Sequence, residues 1–182
     1  MVLLNSSSCN LDWKPKNFQF TNLSGEKRSF YESFDINGLL VMFICNHCPY
    51  VRSIENKIAC ETKRLKGLNI NSIAFMSNDQ NAYEEDHNKF LLEQISRAKF
   101  EFDYNLDASQ TIAKTFDAQC TPEFYYFNND KRLKYRGRLD SNGKDPSMGK
   151  PELYSAVEEI ITKGYCSSQQ YPSMGCSIKW KN

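Results

Sequence analysis

The chain has 182 residues, enough for one domain with a sizeable core, and its 23 Lys plus Arg nearly balance 22 Asp plus Glu. That balance excludes long-range electrostatic steering toward nucleic acid, an anionic membrane or an acidic substrate, so any partner is recognised locally. Seven cysteines (Cys9, Cys45, Cys48, Cys60, Cys120, Cys166 and Cys176) at uneven spacings fit poorly with a secreted disulfide scaffold. The N-terminal residues offer no apolar stretch long enough for a signal peptide or a membrane span, so a cytoplasmic location is expected.

In chain order, Met1 to Lys16 reads as polar and irregular, followed by a short Phe18 to Thr21 edge strand and a turn at Asn22 to Gly25. Leu39 to Cys45 is a continuous apolar run, the pattern of a central strand covered on both faces, and it ends on the dithiol Cys45-Asn46-His47-Cys48. After Pro49, Val51, Ile54, Ile58 and Leu65 recur at helical spacing, with Gly67 placed to cap the end. Ile70 to Met76 is a second strand, Ser77 to Gln80 a polar loop, and Phe90, Leu91, Ile95 and Ala98 lie on one face of the next helix.

A short helix with Ile112, Ala113 and Phe116 follows Asp107 and Gln110, which are spaced for a capping box. Thr121-Pro122 leads into an antiparallel hairpin, Glu123 to Phe127 and Leu133 to Arg138, with a turn at Asn128 to Lys131. The basic residues Lys131, Arg132, Lys134, Arg136 and Arg138 then belong to the turn and its solvated face, not to a nucleic-acid site. Pro151 opens a last helix whose stripe of Leu153, Ala156, Val157, Ile160 and Ile161 stops at Gly164, and Cys166 to Asn182 reads as an irregular, loosely packed tail.

The strand, CxxC, helix order carries the chemistry. At a strand end and a helix start, Cys45 would meet unpaired N–H groups and the positive end of the helix dipole, both favouring thiolate. His47, when protonated, would lower its pKa further. The expected cycle is attack by a more exposed Cys45 on a substrate disulfide, followed by attack of Cys48 from one turn inward. Thr121-Pro122 is either an ordinary trans proline opening a strand or a cis proline whose neighbouring backbone would pair with an extended peptide substrate.

The remaining cysteines have plainer readings. Cys60 is expected as a small buried side chain of the helix. Cys120 is expected near the dithiol, as inert packing, a third redox thiol or a ligand. Cys176 is either part of the loose tail or a resolving thiol that folds back. No phosphate-cradling glycine loop or dinucleotide fingerprint is present, so no organic cofactor is expected.

Five motifs in one order resemble the thioredoxin superfamily, and more narrowly its bacterial alkyl hydroperoxide reductase/thiol-specific antioxidant, peroxiredoxin-like branch. They are Phe43 to Val51, Ser77-Asn78-Asp79, Ala118 to Phe124, Tyr135 to Asp140 and Pro172 to Trp180, so the likeness runs from about Phe18 to Trp180. It implies an α/β thioredoxin fold: a central mixed sheet flanked by helices on both faces, a domain over 18–164, and extensions at 1–17 and 165–182. The peroxiredoxin Thr-x-x-Cys-Pro pattern falls on Cys45 to Pro49, which makes Cys48 the matching cysteine. Here Cys45 replaces the threonine, and Thr121-Pro122 stands where that family supplies an activating arginine, both departures that favour dithiol exchange.

Three functions are therefore open. The first is a thiol/disulfide oxidoreductase acting on protein or small thiol substrates with a thiol electron donor. The second is a thiol peroxidase using Cys48 or Cys45. The third is a module holding a soft ion through Cys45, Cys48 and His47 or Cys120, although the two histidines and lone CxxC argue against a closed zinc site. The substrate, the direction of transfer and the oligomeric state are not legible.

Overall fold

The computed structural model describes residues 3–6 and 10–181, so Cys9 lies outside the described residues. Its centre is a five-stranded mixed sheet in the order β6-β5-β4-β8-β9, formed by β4 (Gly38–Phe43), β5 (Ile70–Met76), β6 (Asp103–Leu106), β8 (Glu123–Phe127) and β9 (Leu133–Gly137). β4 runs parallel to β5 and antiparallel to β8, so the strand that delivers the dithiol is the middle of the sheet. Its apolar run needs no alternation because both faces are covered. Leu40, Met42 and Ile44 enter one core, and Leu39, Val41 and Phe43 enter the other.

The first core is roofed by α2 (Glu55–Lys66), α3 (Asn88–Ala98) and α5 (Glu152–Lys163), which supply Ile58, Leu65, Leu91, Leu153 and Val157. The opposite face carries the one-turn α4 (Thr111–Thr115), the N-terminal region and Ile178 of the tail, and an aromatic cluster fills it. Phe18 stacks on Phe30 at 4.7 Å, and Phe116 meets Trp13, Phe43 and Tyr125 edge-on. The expectation of helices on both faces therefore holds with unequal weight. Among the described residues, no helix is long and apolar enough to cross a membrane.

Several local readings are corrected. The helix after the dithiol is broken at Ile54 into α1 (Pro49–Ser53) and α2. Gly67 ends α2 with right-handed dihedrals, and the left-handed residue is Asn69 (φ 57°). Asp107 caps α4 by accepting the amides of Ala113 (2.9 Å) and Ile112 (3.3 Å), Ser109 Oγ accepts the Thr111 amide (3.3 Å), and the Gln110 side chain turns away to the carbonyls of Ser77 and Lys179. Arg136 is not on a solvated face: it is buried in an ion pair with Glu123 at 2.8 Å.

The largest correction concerns the two ends of the chain. β1 (Leu3–Asn5), β10 (Met174–Ser177) and β7 (Cys120–Thr121) form a second, antiparallel sheet, with β2 (Gln19–Thr21) and β3 (Lys27–Ser29) pairing separately. The tail is thus packed: Cys176 and Ile178 are buried, and the main chain of Lys179 bonds to Asp79, Asn78 and the Gln110 side chain. Gly175 permits this approach, because a Cβ there would stand 2.0 Å from the Thr121 carbonyl oxygen.

Candidate active site

β4 ends at Phe43, and the chain passes through Cys45, Asn46 and His47 before Cys48 takes the N-cap position of α1 without a side-chain capping bond. This turn is held from two sides. On one side the Asp86 carboxylate accepts the amides of Asn46 (2.8 Å) and His47 (3.0 Å). On the other, Gln94 donates to the Cys45 carbonyl (3.4 Å) and to Glu55 (2.9 Å), while Arg97 reaches the Asn46 side chain (3.0 Å) and Glu55 (2.7 Å).

Asp86 therefore takes the amides that were expected to serve the Cys45 thiolate. Its second oxygen lies 2.6 Å from His47 Nδ1 and accepts from Asn78 at 2.9 Å, and Tyr83 stacks on the imidazole at 4.0 Å. Burial alone would raise the Asp86 pKa, but the hydrogen bond and charge of His47 and the Asn78 amide bring it below the ordinary carboxylate range. His47 is thus oriented by Asp86, and its other ring nitrogen is buried without a partner among the described residues.

Both thiols are fully buried, so the expectation of a more exposed Cys45 does not hold. The two differ in electrostatics. Burial, a hydrogen bond given to Cys48 and the nearby Asp86 charge push the Cys45 thiol well up. Cys48 is brought down to about 5, first by the hydrogen bond from Cys45; burial opposes this, and Cys176, Thr121 and the Val51 amide reinforce it. Of the two thiols, Cys48 is therefore the one that ionises more readily. The helix-start advantage foreseen for Cys45 falls on Cys48, which sits at that start.

Thr121-Pro122 is a cis peptide, and Thr121 bridges the pair: its hydroxyl lies 3.3 Å from Cys45 Sγ and its carbonyl 3.3 Å from Cys48 Sγ. The edge of β7 expected to receive a peptide is already occupied, since Cys176 pairs with Thr121 and Ser177 with Cys120. The Cys176 sulfur lies 2.8 Å from that of Cys48. Burial pushes the Cys176 thiol up to about 12, and its hydrogen bond to Cys48 acts in the same direction. A cavity of about 270 Å³ is lined by Tyr50, Ile54, Pro122, Phe124, Lys144 and Met174, and none of the described cysteines lines it.

Cys120 is buried on the same strand, its thiol raised by burial and by the Glu123 carboxylate, whose oxygen lies 3.5 Å from the Cys120 amide. Cys60 is exposed rather than buried, and Cys166, just after α5, is partly exposed and packs against the first core. All six described cysteines are thiols. Among the described residues, the group able to hold a metal ion is Cys45, His47 and Asp86, with ligand atoms within 4.8 Å of one another. Two of them are already engaged with each other, because His47 Nδ1 and Asp86 are paired and Asp86 holds the two loop amides.

The residues that sequence reading missed are those that hold the turn: Asp86, Gln94, Glu55 and Arg97. Asp86 closes the acidic run Glu84-Glu85-Asp86, where nothing in the pattern distinguishes the buried carboxylate from two exposed ones.

No curated protein matches the chain. Among solved structures, an uncharacterised conserved protein from Geobacillus kaustophilus is 31% identical, covering 100% of this chain and 97% of that one, with a TM-score of 0.90. A hypothetical protein from Sinorhizobium meliloti is 32% identical over 97% of this chain and 98% of that one, with a TM-score of 0.89. The thioredoxin domain of a thiol-disulfide oxidoreductase from Bacteroides vulgatus is 15% identical over 85% and 99%, with a TM-score of 0.60, a likeness of fold. The profile of the AhpC/TSA family matches residues 13–136. With its thioredoxin fold and paired thiols, the chain belongs to the AhpC/TSA family.

Proposed function

We propose that the chain is a thiol/disulfide oxidoreductase in which Cys48 and Cys45 are the exchanging dithiol. The observation that carries this is the site's geometry: Thr121 of the cis Thr121-Pro122 peptide bridges the two buried thiols, its hydroxyl 3.3 Å from Cys45 Sγ and its carbonyl 3.3 Å from Cys48 Sγ, and Cys48 is the thiol whose pKa is brought down. Cys48 attacks one sulfur of a substrate disulfide, forming a mixed disulfide and releasing one substrate thiolate. Cys45 then gives up its proton and attacks the Cys48 sulfur, releasing the second substrate thiol and leaving a Cys45–Cys48 disulfide. A dithiol donor returns the two electrons. The pair's order is the reverse of the one expected from sequence, because the helix start and Cys45 itself stabilise Cys48. Substrate discrimination falls to the cavity beside Tyr50 and Pro122, and the cytoplasm, where a thiol donor is at hand, is the compartment this chemistry suits.

The test is turnover of a small aromatic disulfide with a dithiol donor. Cys48→Ser abolishes it under this reading, and Cys45→Ser stalls after one substrate thiol unless another thiol resolves the adduct. Full activity in Cys48→Ser would end the proposal.

A thiol peroxidase is the second reading, favoured by the low pKa of Cys48 at the position matching the peroxidatic cysteine. Hydroperoxide consumption no faster than that of a simple thiol would exclude it.

A further inference from the structure

We propose that Cys176 is a third redox thiol of this centre, an intramolecular partner for Cys48 presented by the C-terminal strand as a substrate peptide would be; this rests on the dithiol reading above. Three independent features place it there. The sulfurs of Cys48 and Cys176 are 2.8 Å apart. β10 is hydrogen-bonded antiparallel to β7, with Cys176 opposite Thr121, the residue whose carbonyl also faces Cys48. Gly175 then leaves no room for a side chain against Thr121, so the close approach is built into the sequence at that position.

The location has two consequences. The strand edge that would pair with an extended peptide is filled from within, which directs the centre toward small disulfides. Cys48, once in a mixed disulfide, has two buried thiols next to it in place of one. Cys176 loses its proton to solvent or to the departing thiolate and attacks the Cys48 sulfur. The substrate leaves as a thiol and a Cys48–Cys176 disulfide forms, balanced by the two electrons taken up by the substrate disulfide. Cys45 exchanges with that bond in turn: its thiolate attacks Cys48, Cys176 leaves and is protonated, and no net oxidation occurs. The product bond ties the tail to the start of α1, and the exchange unties it.

The test uses full-length chains, reduced and then treated with a small aromatic disulfide, followed by alkylation and peptide mapping. Cys45→Ser is expected to yield a peptide linked through Cys48 and Cys176 with no aromatic group on either, while the exposed Cys60 and partly exposed Cys166 are mapped separately. An aromatic group left on Cys48 with Cys176 unlinked would overturn the role of Cys176. In that case a Cys176→Ser chain that still links Cys45 to Cys48 leaves the dithiol reading standing. If no chain, wild type included, links Cys45 to Cys48, the dithiol reading itself fails. Wild-type protein equilibrated in graded thiol/disulfide buffers gives a check independent of how the variants fold: a Cys48–Cys176 linked population supports the proposal, and its absence at every poise counts against it.

Discussion

The Cα of Gly175 lies so close to Thr121 that a methyl group on it would meet the Thr121 carbonyl oxygen at 2.0 Å. Because the obstacle is backbone beside Pro122, relief requires β10 to move. Gly175→Ala is expected to destabilise the protein by about 1–3 kcal/mol and lower the melting temperature by a few degrees. It should also raise the alkylation rates of Cys48 and Cys176 at least several-fold. Calorimetry and timed alkylation with peptide mapping check this; unchanged rates at both cysteines would mean that β10 does not cover the dithiol.

Cys48 is expected to titrate near 5, well below an ordinary thiol. The ultraviolet absorbance of thiolate, followed against pH, should show a step there that Cys48→Ser removes. Cys45→Ser should move the step upward, because the hydrogen bond from Cys45 is the largest influence holding Cys48 down. Removal of Cys176 should move it the same way by less, since that thiol ranks below Cys45 and burial among the influences.

Asp86 couples the turn to acidity. Its folded pKa lies below the ordinary carboxylate value, so its stabilisation is fully present above the unfolded pKa of about 3.9 and is lost as pH falls through the lower folded value. Asp86→Ala strands two loop amides and His47 in a buried site, a loss of about 3–5 kcal/mol. Urea unfolding across a pH series should show wild type and variant converging only in the acid range. The variant should also ease ionisation of Cys45, because the Asp86 charge is one of the influences that raise it.

The buried pair Glu123–Arg136 supports the other side of the site. Glu123 accepts the Gln119 amide at 2.9 Å just ahead of Cys120, and its own pKa is raised by burial, offset in part by Arg136. Glu123→Ala leaves Arg136 without this partner and is expected to cost about 3–5 kcal/mol. Chemical denaturation measures it, and a loss under 1 kcal/mol would contradict the assignment.

The parts of the fold that were legible are those fixed by local pattern. Leu39 to Phe43 is apolar at every position because both faces are buried, and the stripe from Leu153 to Ile160 follows helical spacing. The hairpin after Pro122 was likewise readable from alternating aromatics, Phe124 and Tyr126 facing one core and Tyr125 and Phe127 the other. What was not legible depends on partners far along the chain. Met174–Ser177 has no strand signature of its own and exists by pairing with Leu3–Asn5 and Cys120–Thr121. Cys176 meets Cys48 across 128 residues. Asp86 is buried by the turn it holds, a fact absent from its neighbours in sequence. The exposure of Cys45 was misread for a similar reason, since exposure and amide supply were assigned from the helix start alone.

The most direct measurement is a redox titration of the wild-type protein, with every cysteine read separately by differential alkylation and peptide mapping. A reversible Cys45–Cys48 disulfide with a single midpoint, formed and reduced in step with thiol-donor turnover, is the predicted result. Cysteines 45 and 48 that stay reduced, or never pair, across the whole range of buffers would contradict the account.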